Sequence, residues 1–308
     1  MRGLVGVDLG GTKTAAALVE DGGVLRRALA PTPAQDGPDA VLALVARLVS
    51  EVADGAPYGL GVGTAGVVDP ATGTVTTATD HLRGWAGTPV RDRLAGLLGL
   101  APDTVVVAND AHAHALAEAR VGAGRGHRTV LVVAAGTGVG GALVEGGRVL
   151  VGAHGAGGHL GHVPSAAAAG LPCRCGRTGH LEAVASGEGL AALASRYGVT
   201  VRDGREVAAL AASGDRQAGR ALDTAAAALG EAVGGWLGAL DPDVVVLTGG
   251  MTGAGERWWR GVRDAAARTA LPVAASTPLV PALLGSDSGV VGAALLSERA
   301  ASGSVAVR

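Results

Sequence analysis

Residues 3–25 read GLVGVDLGGTKTAAALVEDGGVL, and residues 128–150 read RTVLVVAAGTGVGGALVEGGRVL. When the two stretches are aligned at an offset of 125 residues, nine of the fifteen positions 11–25 are identical, without a gap. Each copy alternates apolar strand-like runs with glycine-rich turns, the pattern of consecutive short strands. The repeat therefore predicts two related hairpins, and two similar α/β lobes that each present a glycine turn.

Helical and strand-like segments alternate outside the two hairpins. Residues 38–53, for example, place apolar side chains at the spacing of an amphipathic helix. This alternation predicts an α/β fold built on a mixed sheet. We predict strands at 3–9, 14–20, 23–30, 58–64, 104–108 and 244–247, and helices at 38–53, 89–99, 110–121, 187–197, 204–213, 215–240 and 289–301.

These segments are expected to form two lobes. The smaller lobe is placed at 1–109, and a C-terminal helix at 289–308 is expected to pack back on it. The larger lobe is placed at 110–288. It contains an insert at 152–183 that is rich in Gly, His and Cys.

The composition of the 308 residues excludes several classes of protein. With 48% hydrophobic and 17% charged residues and a net charge of −2, the chain fits neither a disordered protein nor a basic nucleic-acid-binding protein. Its apolar runs are shorter than the ~18 residues of a membrane span, and the first residues lead directly into a strand, which argues against a signal peptide. Two cysteines spaced Cys-x-Cys do not make a disulfide framework. We therefore expect a cytoplasmic protein without membrane or nucleic-acid partners.

Lysine and asparagine each occur once in the chain, at Lys13 and Asn109. Isoleucine and phenylalanine do not occur, and 24 of the 25 basic residues are Arg, a bias typical of a GC-rich genome. The two exceptions mark positions at which Arg or Asp would have been an easy replacement. Both lie beside candidate functional residues.

The turn of the first hairpin, Gly10-Gly11-Thr12-Lys13, has the composition of a phosphate-binding loop. Glycines let backbone N–H groups approach phosphate oxygens, while the threonine hydroxyl and the lysine ammonium add a donor and a cation. Asp8, at the end of the preceding strand, is placed to hold Mg²⁺ through water. The spacing is not that of a P-loop, and a plain glycine hairpin is the alternative.

Two further glycine turns are candidates for nucleotide contacts. Gly136, Thr137 and Gly138 repeat the first turn without its Asp and Lys, which fits two hairpins that grip different phosphates of one nucleotide. Gly249 and Gly250 follow a buried strand. They are placed either near adenosine or in a plain strand-to-helix turn.

Asn109 and Asp110 stand between a predicted strand and a predicted helix. A carboxylate at this place can take the proton of an attacking hydroxyl, as phosphoryl transfer to an alcohol requires. Asn and Asp are also good helix N-caps, which is the structural alternative. The retention of the single asparagine favours a functional role.

The insert carries the residue types of a metal site. His159 and His162 precede Cys173 and Cys175, and His180 follows them. Two thiolates and two imidazoles would close a tetrahedral site for structural zinc, with no open position for catalysis. Reduced surface cysteines beside incidental histidines are the alternative. A metal would supply the folding energy that so glycine-rich an insert lacks.

These motifs, in this order, resemble the ROK family of sugar kinases and sugar-responsive repressors. The resemblance rests on the motifs Asp-x-Gly-Gly-Thr-Lys, Asn-Asp-Ala, Gly-Thr-Gly-x-Gly-Gly and Cys-x-Cys-Gly-x-x-Gly-x-x-Glu. It covers essentially the whole chain. It implies an actin-like ATPase (ribonuclease H-like) fold, duplicated into two lobes with a sugar in the cleft and a small zinc-containing insert. It also implies ATP, Mg²⁺ and structural Zn²⁺ as ligands and a homodimer or higher homo-oligomer.

The resemblance further implies roles for individual residues. Asp110 would be the catalytic base for the sugar 6-hydroxyl. The residues in contact with the sugar would be Asn109, His159, His162 and Glu182. The zinc ligands would be His162, Cys173, Cys175 and, in place of a family cysteine, His180. His81 and His112 stand where the family usually has Asn.

Position 159 separates two substrate classes within the family. Glucokinases carry Glu-x-Gly-His there, whereas this chain has His-x-Gly-His, as do bacterial N-acetylmannosamine kinases. An imidazole offers a donor nitrogen where a carboxylate offers only acceptors, which suits the carbonyl of a 2-acetamido group. We therefore predict an ATP-dependent hexose 6-kinase for N-acetylmannosamine, with glucokinase as the alternative.

Two functions of another class are disfavoured. A sugar-sensing repressor would carry a DNA-binding segment before the core, and here the core motifs begin at residue 3. A non-catalytic sugar-binding protein would not need the base at Asp110, which is intact.

Overall fold

The computed structural model describes residues 3–53, 55, 57–78 and 81–301. Its strands are β1 (Leu4–Leu9), β2 (Lys13–Glu20), β3 (Gly23–Pro31), β4 (Gly59–Thr64), β5 (Val67–Val68), β6 (Val75–Thr77), β7 (Val105–Asn109), β8 (Thr129–Ala135), β9 (Val139–Glu145), β10 (Arg148–Val149), β11 (Val244–Thr248) and β12 (Leu279–Pro281). Its α-helices are α1 (Pro38–Val52), α2 (Val90–Leu98), α3 (Asp110–Arg120), α4 (Glu182–Ala185), α5 (Gly187–Arg196), α6 (Gly204–Ala212), α7 (Arg216–Leu240), α8 (Glu256–Thr269) and α9 (Ser288–Ala301).

The strands and helices predicted from the sequence agree with the observed elements to within one residue at each end. Helix α1 shows the cause, because its apolar residues recur every three or four positions and its buried face contains Val41, Val45 and Val49. Pro38 stands in its first turn, where a missing N–H costs no hydrogen bond. The shortest strands have too few residues to show a period. Positions 302–308 of the predicted C-terminal helix lie outside the described residues.

The chain divides into two compact units. The first contains the described residues of 1–125, 147–158 and 283–308, and the second contains 126–146 and 159–282. The lobe boundary expected at 109/110 differs from this division, because α3 packs on α9 and β4 of the first unit. The expected insert is divided as well, since its residues up to 158 belong to the first unit and the remainder to the second.

Each unit is built on a mixed sheet, which confirms the α/β class. The first sheet has the order β3-β2-β1-β4-β7, in which β1 is antiparallel to β2 and parallel to β4. In the second sheet β9, β8, β11 and β12 lie side by side, and β8 is antiparallel to β9 and parallel to β11. A hairpin flanked by a parallel strand is therefore built twice, which is consistent with an actin-like ATPase fold.

The two hairpins predicted from the repeat are present, with turns of different length. Four residues separate the paired Leu9 and Thr14 in the first hairpin, and three separate Ala135 and Val139 in the second. The register of the second hairpin is therefore shifted by one residue relative to the first. The two turns cannot present the same side chains in the same way.

Helix α9 packs closely on β1, β4 and α3. Glycine makes this approach possible, because a Cβ at Gly6, Gly61 or Gly292 would overlap a backbone carbonyl of the facing element. The first turn of α9 is thereby held beside the carboxyl end of β1, where Gly289 lies against Asp8. No helix among the described ranges is both long and apolar enough to cross a membrane.

Helix α3 carries a carboxylate, Glu118, whose residue is only 1% exposed. Its oxygens accept backbone N–H groups from Ala123 at 3.0 Å, Leu283 at 3.1 Å and Leu284 at 2.8 Å. These residues lie where the chain leaves the first unit and where it returns to it. One side chain therefore fixes the ends of two connecting segments.

We expect Glu118→Gln to lower the free energy of unfolding by about 1–3 kcal/mol, because an amide NH₂ in place of one oxygen leaves a buried N–H without an acceptor. Urea unfolding followed by circular dichroism measures this change. Glu231→Gln, at an exposed position of α7, is the matched control and should shift the free energy by less than about 0.5 kcal/mol. Equal effects of the two substitutions would contradict the anchoring role of Glu118.

Candidate active site

Hydrogen bonds hold the turn between β1 and β2 in one shape. The Gly10 N–H donates to the Lys13 carbonyl at 3.1 Å, and the Thr32 hydroxyl donates to the Gly10 carbonyl at 2.7 Å. The Thr32 N–H also donates to the Thr12 carbonyl at 3.0 Å. Thr12 and Lys13 are exposed, so their side chains are open to a phosphate group.

Asp8 lies at the end of β1, with its carboxylate against the first turn of α9. A Cβ at Gly289 would come within 2.5 Å of Asp8 Oδ2, so the carboxylate fills a space that only glycine leaves open. Burial raises the pKa of Asp8 above its usual value. Positive charge on His114, when its ring is protonated, and on Lys13 and Arg27 lowers this pKa, and the negative charge of Asp110 raises it.

The groups around Asp8 fit Mg²⁺. This ion binds through one or two carboxylates together with substrate phosphates, and it retains several waters. Asp8 and Asp110 are two carboxylates close enough for the charge of one to raise the pKa of the other. A divalent cation would offset the cost of burying the Asp8 charge.

Asn109 ends β7 and caps α3. Its Oδ1 accepts the Ala111 N–H at 2.9 Å, and its Nδ2 donates to the Gly66 carbonyl at 2.9 Å. Asp110 is the first residue of α3, and its Oδ1 also accepts the Ala111 N–H, at 2.8 Å. The N-cap interpretation is therefore correct for Asn109. Hydrogen bonds within the described ranges engage only one carboxylate oxygen of Asp110.

The turn between β8 and β9 is the counterpart in the second unit. The Gly136 N–H donates to the Gly138 carbonyl at 2.9 Å, and the Gly136 carbonyl accepts the Gly187 N–H at 2.7 Å. Gly249 packs against the Ala135 carbonyl so closely that a Cβ would overlap the oxygen. Its φ of +93° also lies in the region that favours glycine. These contacts bring the second and third predicted glycine turns together.

A cavity of about 930 Å³ opens beside these turns in the second unit. Thr137 and Gly250 line it, together with the charged residues Glu188, Arg202, Asp203 and Arg205. Glycine and alanine form most of the remaining wall. The volume is that of a site for a drug-sized ligand.

The four predicted zinc ligands meet in the second unit. One ligand atom from each of His162, Cys173, Cys175 and His180 lies within 4.8 Å of the others. Cys173 Sγ is 3.6 Å from His162 Nδ1, and Cys175 Sγ is 3.2 Å from His180 Nδ1. Bonds of about 2.3 Å to sulfur and 2.0 Å to nitrogen place tetrahedral S and N ligands roughly 3.5 Å apart. Both the donor set and the spacing therefore fit structural zinc.

Burial affects two of these ligands in opposite ways. It lowers the pKa of His162, which favours the neutral imidazole that binds a metal. It raises the pKa of Cys173, which disfavours the thiolate. A bound Zn²⁺ would offset the second effect, because the cation would stabilise the thiolate.

Glu182 connects the metal cluster with the second glycine turn. Its Oε2 accepts the Val139 N–H at 2.9 Å, and its Oε1 lies 3.8 Å from Cys173 Sγ. A Cβ at Gly138 would come within 2.5 Å of Glu182 Oε2, so a larger residue in this turn would displace the carboxylate. The glutamate predicted to contact the sugar thus also positions the turn predicted to contact phosphate.

The histidines that depart from the family pattern have different surroundings. His159 stacks against His162, with ring centroids 6.0 Å apart and planes at 27°. His112 is buried, and its Nε2 forms a hydrogen bond of 2.6 Å with the Gly157 carbonyl. His81 packs against the first glycine turn. Of these three histidines, His159 is the one that lies beside the predicted zinc ligands, to which His180, the replacement for a family cysteine, itself belongs.

Three residues at these sites were missed by the sequence analysis. Thr32 closes the first glycine turn, and Glu188 lines the cavity. His114 lies beside Asp8, with Nε2 3.9 Å from Oδ2. Only His114 carried a signal, since it follows Asp110 by four residues and so shares its helix face.

Comparisons with known proteins identify the family. The profile described as the ROK family matches residues 4–300. A glucokinase from Thermotoga maritima is 34% identical over 318 residues, which cover 96% of this chain and 98% of that protein. An N-acetylmannosamine kinase from Escherichia coli O139:H28 is 34% identical over 294 residues, which cover 95% and 97%.

A solved structure supports the same assignment. The ROK family glucokinase from Streptomyces griseus, in complex with glucose and AMPPNP, superposes with a TM-score of 0.77 at 29% identity. The match covers 95% of this chain and 98% of that one. Because profile, sequences and structure agree over nearly the full length, this chain belongs to the ROK family.

Proposed function

We propose that this chain transfers the γ-phosphoryl group of ATP to the 6-hydroxyl of N-acetylmannosamine. Its family and its kinase relatives make it an ATP-dependent sugar kinase. The observation that carries the choice of sugar is His159, which stands where glucokinases of the family have glutamate and stacks on His162 of the metal cluster.

The chemistry of position 159 supports a 2-acetamido sugar. A carboxylate only accepts hydrogen bonds and therefore suits sugar hydroxyls, whereas an imidazole N–H can donate to an acetamido carbonyl. Stacking on His162 restricts the orientation of the His159 ring. An N–H oriented in this way favours a sugar that carries the carbonyl over one that lacks it, because only the first offers the matching acceptor.

Glucose is the second candidate substrate. The Thermotoga maritima relative, a glucokinase, is as similar to this chain as the Escherichia coli N-acetylmannosamine kinase, at 34% identity each. Overall similarity therefore does not separate the two sugars. The residue at position 159 favours the acetamido sugar.

Asp110 is the proposed catalytic base. It accepts the proton of the 6-hydroxyl as that oxygen forms its bond to the γ-phosphorus and the bond from this phosphorus to the ADP oxygen breaks. Asn109 positions Asp110 by capping α3. The proposed sugar contacts are Asn109, His159, His162 and Glu182.

The remaining residues are assigned to the nucleotide and the metals. Asp8 would hold Mg²⁺ through water, and the ion would neutralise charge on the β- and γ-phosphate oxygens. The cluster of His162, Cys173, Cys175 and His180 is proposed to hold structural zinc. The proposed phosphate contacts are Gly10, Gly11, Thr12, Lys13, Gly136, Thr137 and Gly138, and the residues proposed near adenosine are Gly249 and Gly250.

We expect Lys13→Ala to raise the KM for ATP about tenfold or more, with a smaller effect on the KM for sugar. A hydrogen bond from a charged group to phosphate is worth about 1.5–3 kcal/mol. Lys13→Arg, which keeps the cation, should recover most of the affinity. Initial rates at varied ATP measure both variants, and an unchanged KM for ATP in the alanine variant would rule out the phosphate contact.

We expect His159→Glu to lower kcat/KM for N-acetylmannosamine relative to that for glucose by about tenfold or more, because the donor to the acetamido carbonyl is lost. His159→Gln is the matched control, since its amide NH₂ keeps a donor and should retain the preference. Coupled assays of ADP release with each sugar give the two ratios. A ratio that does not change in His159→Glu would show that His159 does not select the sugar.

We also propose that the chain forms a homo-oligomer, as its family resemblance implies. Size-exclusion chromatography with light scattering measures the molar mass in solution. A mass of about 29.8 kDa, that of one chain, would contradict this assignment.

A further inference from the structure

His114, in the first unit, has no role in the mechanism proposed above. It lies one helical turn after Asp110 on α3, and its Nε2 is 3.9 Å from Asp8 Oδ2. Its Nδ1 is 2.7 Å from the hydroxyl oxygen of Ser288, the first residue of α9. The side chains of His114 and Asp8 are 32% and 29% exposed, so solvent and ligand reach the space between them.

The hydrogen bonds of Ser288 determine which ring nitrogen carries the proton. Its hydroxyl donates to the Gly285 carbonyl at 2.9 Å, and a carbonyl can only accept. Because a hydroxyl has a single proton, the oxygen of Ser288 accepts from Nδ1–H of His114. In a neutral imidazole the lone pair then lies on Nε2, the nitrogen that faces Asp8.

Two acceptors therefore face each other across 3.9 Å. This separation is too long for a direct hydrogen bond, and with a neutral imidazole and an ionised carboxylate neither atom carries a proton. One water molecule has two protons and can donate to both. The space between Nε2 and Oδ2 is thus suited to a bridging water.

The charges on the neighbouring elements favour a cation near this water. Asp110 from α3 faces Asp8 with a second negative charge, while Lys13 from β2 and Arg27 from β3 supply positive charge. Arg27 is already paired with Asp287 at 2.6 Å. A neutral His114 adds an acceptor without adding a competing positive charge.

We propose that His114 is a positioning residue for hydrated Mg²⁺, whose bound water donates to both His114 Nε2 and Asp8 Oδ2. This inference rests on the proposed kinase function, in which Asp8 holds the ion through water. Mg²⁺ parts with its waters reluctantly, so residues that accept hydrogen bonds from those waters fix its position. Such outer partners typically change metal affinity 10–100-fold.

The test measures metal binding rather than turnover. Mn²⁺ replaces Mg²⁺, and its affinity for the zinc-loaded enzyme with ADP is determined from the electron paramagnetic resonance signal of free Mn²⁺. We expect His114→Ala to raise the Mn²⁺ Kd about tenfold or more. We expect His114→Gln, whose amide oxygen offers an acceptor in place of Nε2, to recover part of the affinity.

His127→Ala is the control, because His127 is an exposed histidine of the second unit. It should leave the Mn²⁺ Kd unchanged. Affinity for ADP without metal should be the same in all variants, which separates a positioning role from damage to the nucleotide site. An equal Mn²⁺ Kd in His114→Ala and in the unmodified enzyme would overturn the proposal.

A second measurement does not depend on the folding of any variant. The ¹⁵N chemical shifts of the His114 ring in the unmodified protein, at about pH 8, report which nitrogen is protonated. We expect Nδ1 protonated and Nε2 bare, and a proton on Nε2 would overturn the proposal. A different result, the absence of sugar phosphorylation by the unmodified enzyme, would contradict the proposed kinase function.

Discussion

Asp110→Asn is expected to lower kcat for sugar phosphorylation by about 10²–10⁴-fold, the usual contribution of a general base. Asparagine keeps the shape of the side chain and can still accept the Ala111 N–H that Asp110 Oδ1 accepts at 2.8 Å. The start of α3 should therefore be preserved, and only the group that takes the proton is lost. Steady-state rates give kcat, and calorimetric titration with the sugar shows whether binding survives.

The matched control for Asp110→Asn is Asp215→Asn. Asp215 is the N-cap of α7, where it accepts two backbone N–H groups, and asparagine is about as good a cap. This variant should keep its full rate. A fall in kcat of less than tenfold in Asp110→Asn would favour a purely structural role for the carboxylate at the start of α3.

Removal of a metal ligand is the second change for which we expect a large effect. Cys175→Ser and His180→Gln should each lose most of the approximately one zinc per chain that four protein ligands predict. Structural zinc sites contribute about 10–16 kcal/mol of apparent binding free energy at neutral pH, so the surrounding loop should lose its stability. Inductively coupled plasma mass spectrometry measures the zinc, and limited proteolysis measures the order of the loop.

Sugar affinity should fall together with the zinc content. His162 and Cys173 belong to the cluster, His159 stacks on His162, and Glu182 Oε1 lies 3.8 Å from Cys173 Sγ. His154→Gln is the matched control, because His154 is exposed and lies in the same glycine-rich stretch outside the cluster. A fully active Cys175→Ser enzyme without zinc would refute the metal site.

The parts of the fold that were predictable are those with a local signal. The hairpins within residues 3–25 and 128–150 can be predicted because apolar runs alternate with glycine turns in both stretches. Such patterns extend over only a few residues. The meeting of His162, Cys173, Cys175 and His180 was predictable as well, because two cysteines and two histidines in one short stretch form a typical zinc-ligand set. Such signals require no knowledge of the tertiary fold. The expectation that neither cysteine is buried is wrong for Cys173, which is 7% exposed.

The parts that were not predictable depend on contacts between distant residues. Thr32 lies 22 residues from Gly10, whose carbonyl it binds, and Ser288 lies 174 residues from His114. The residues that flank Thr32 and Ser288 in the sequence contain no pattern that predicts these contacts. The division at 125/126 rather than 109/110 follows from the packing of α3 on α9, which joins segments far apart in the chain.

The sugar that this enzyme prefers can be determined by a single assay of the unmodified protein. ADP release with ATP and Mg²⁺, coupled to NADH oxidation, is followed with N-acetylmannosamine, glucose, N-acetylglucosamine, mannose and fructose. We expect the highest kcat/KM for N-acetylmannosamine, about tenfold or more above that for glucose, because His159 offers a donor to the acetamido carbonyl. A kcat/KM for glucose equal to or greater than that for N-acetylmannosamine would contradict it.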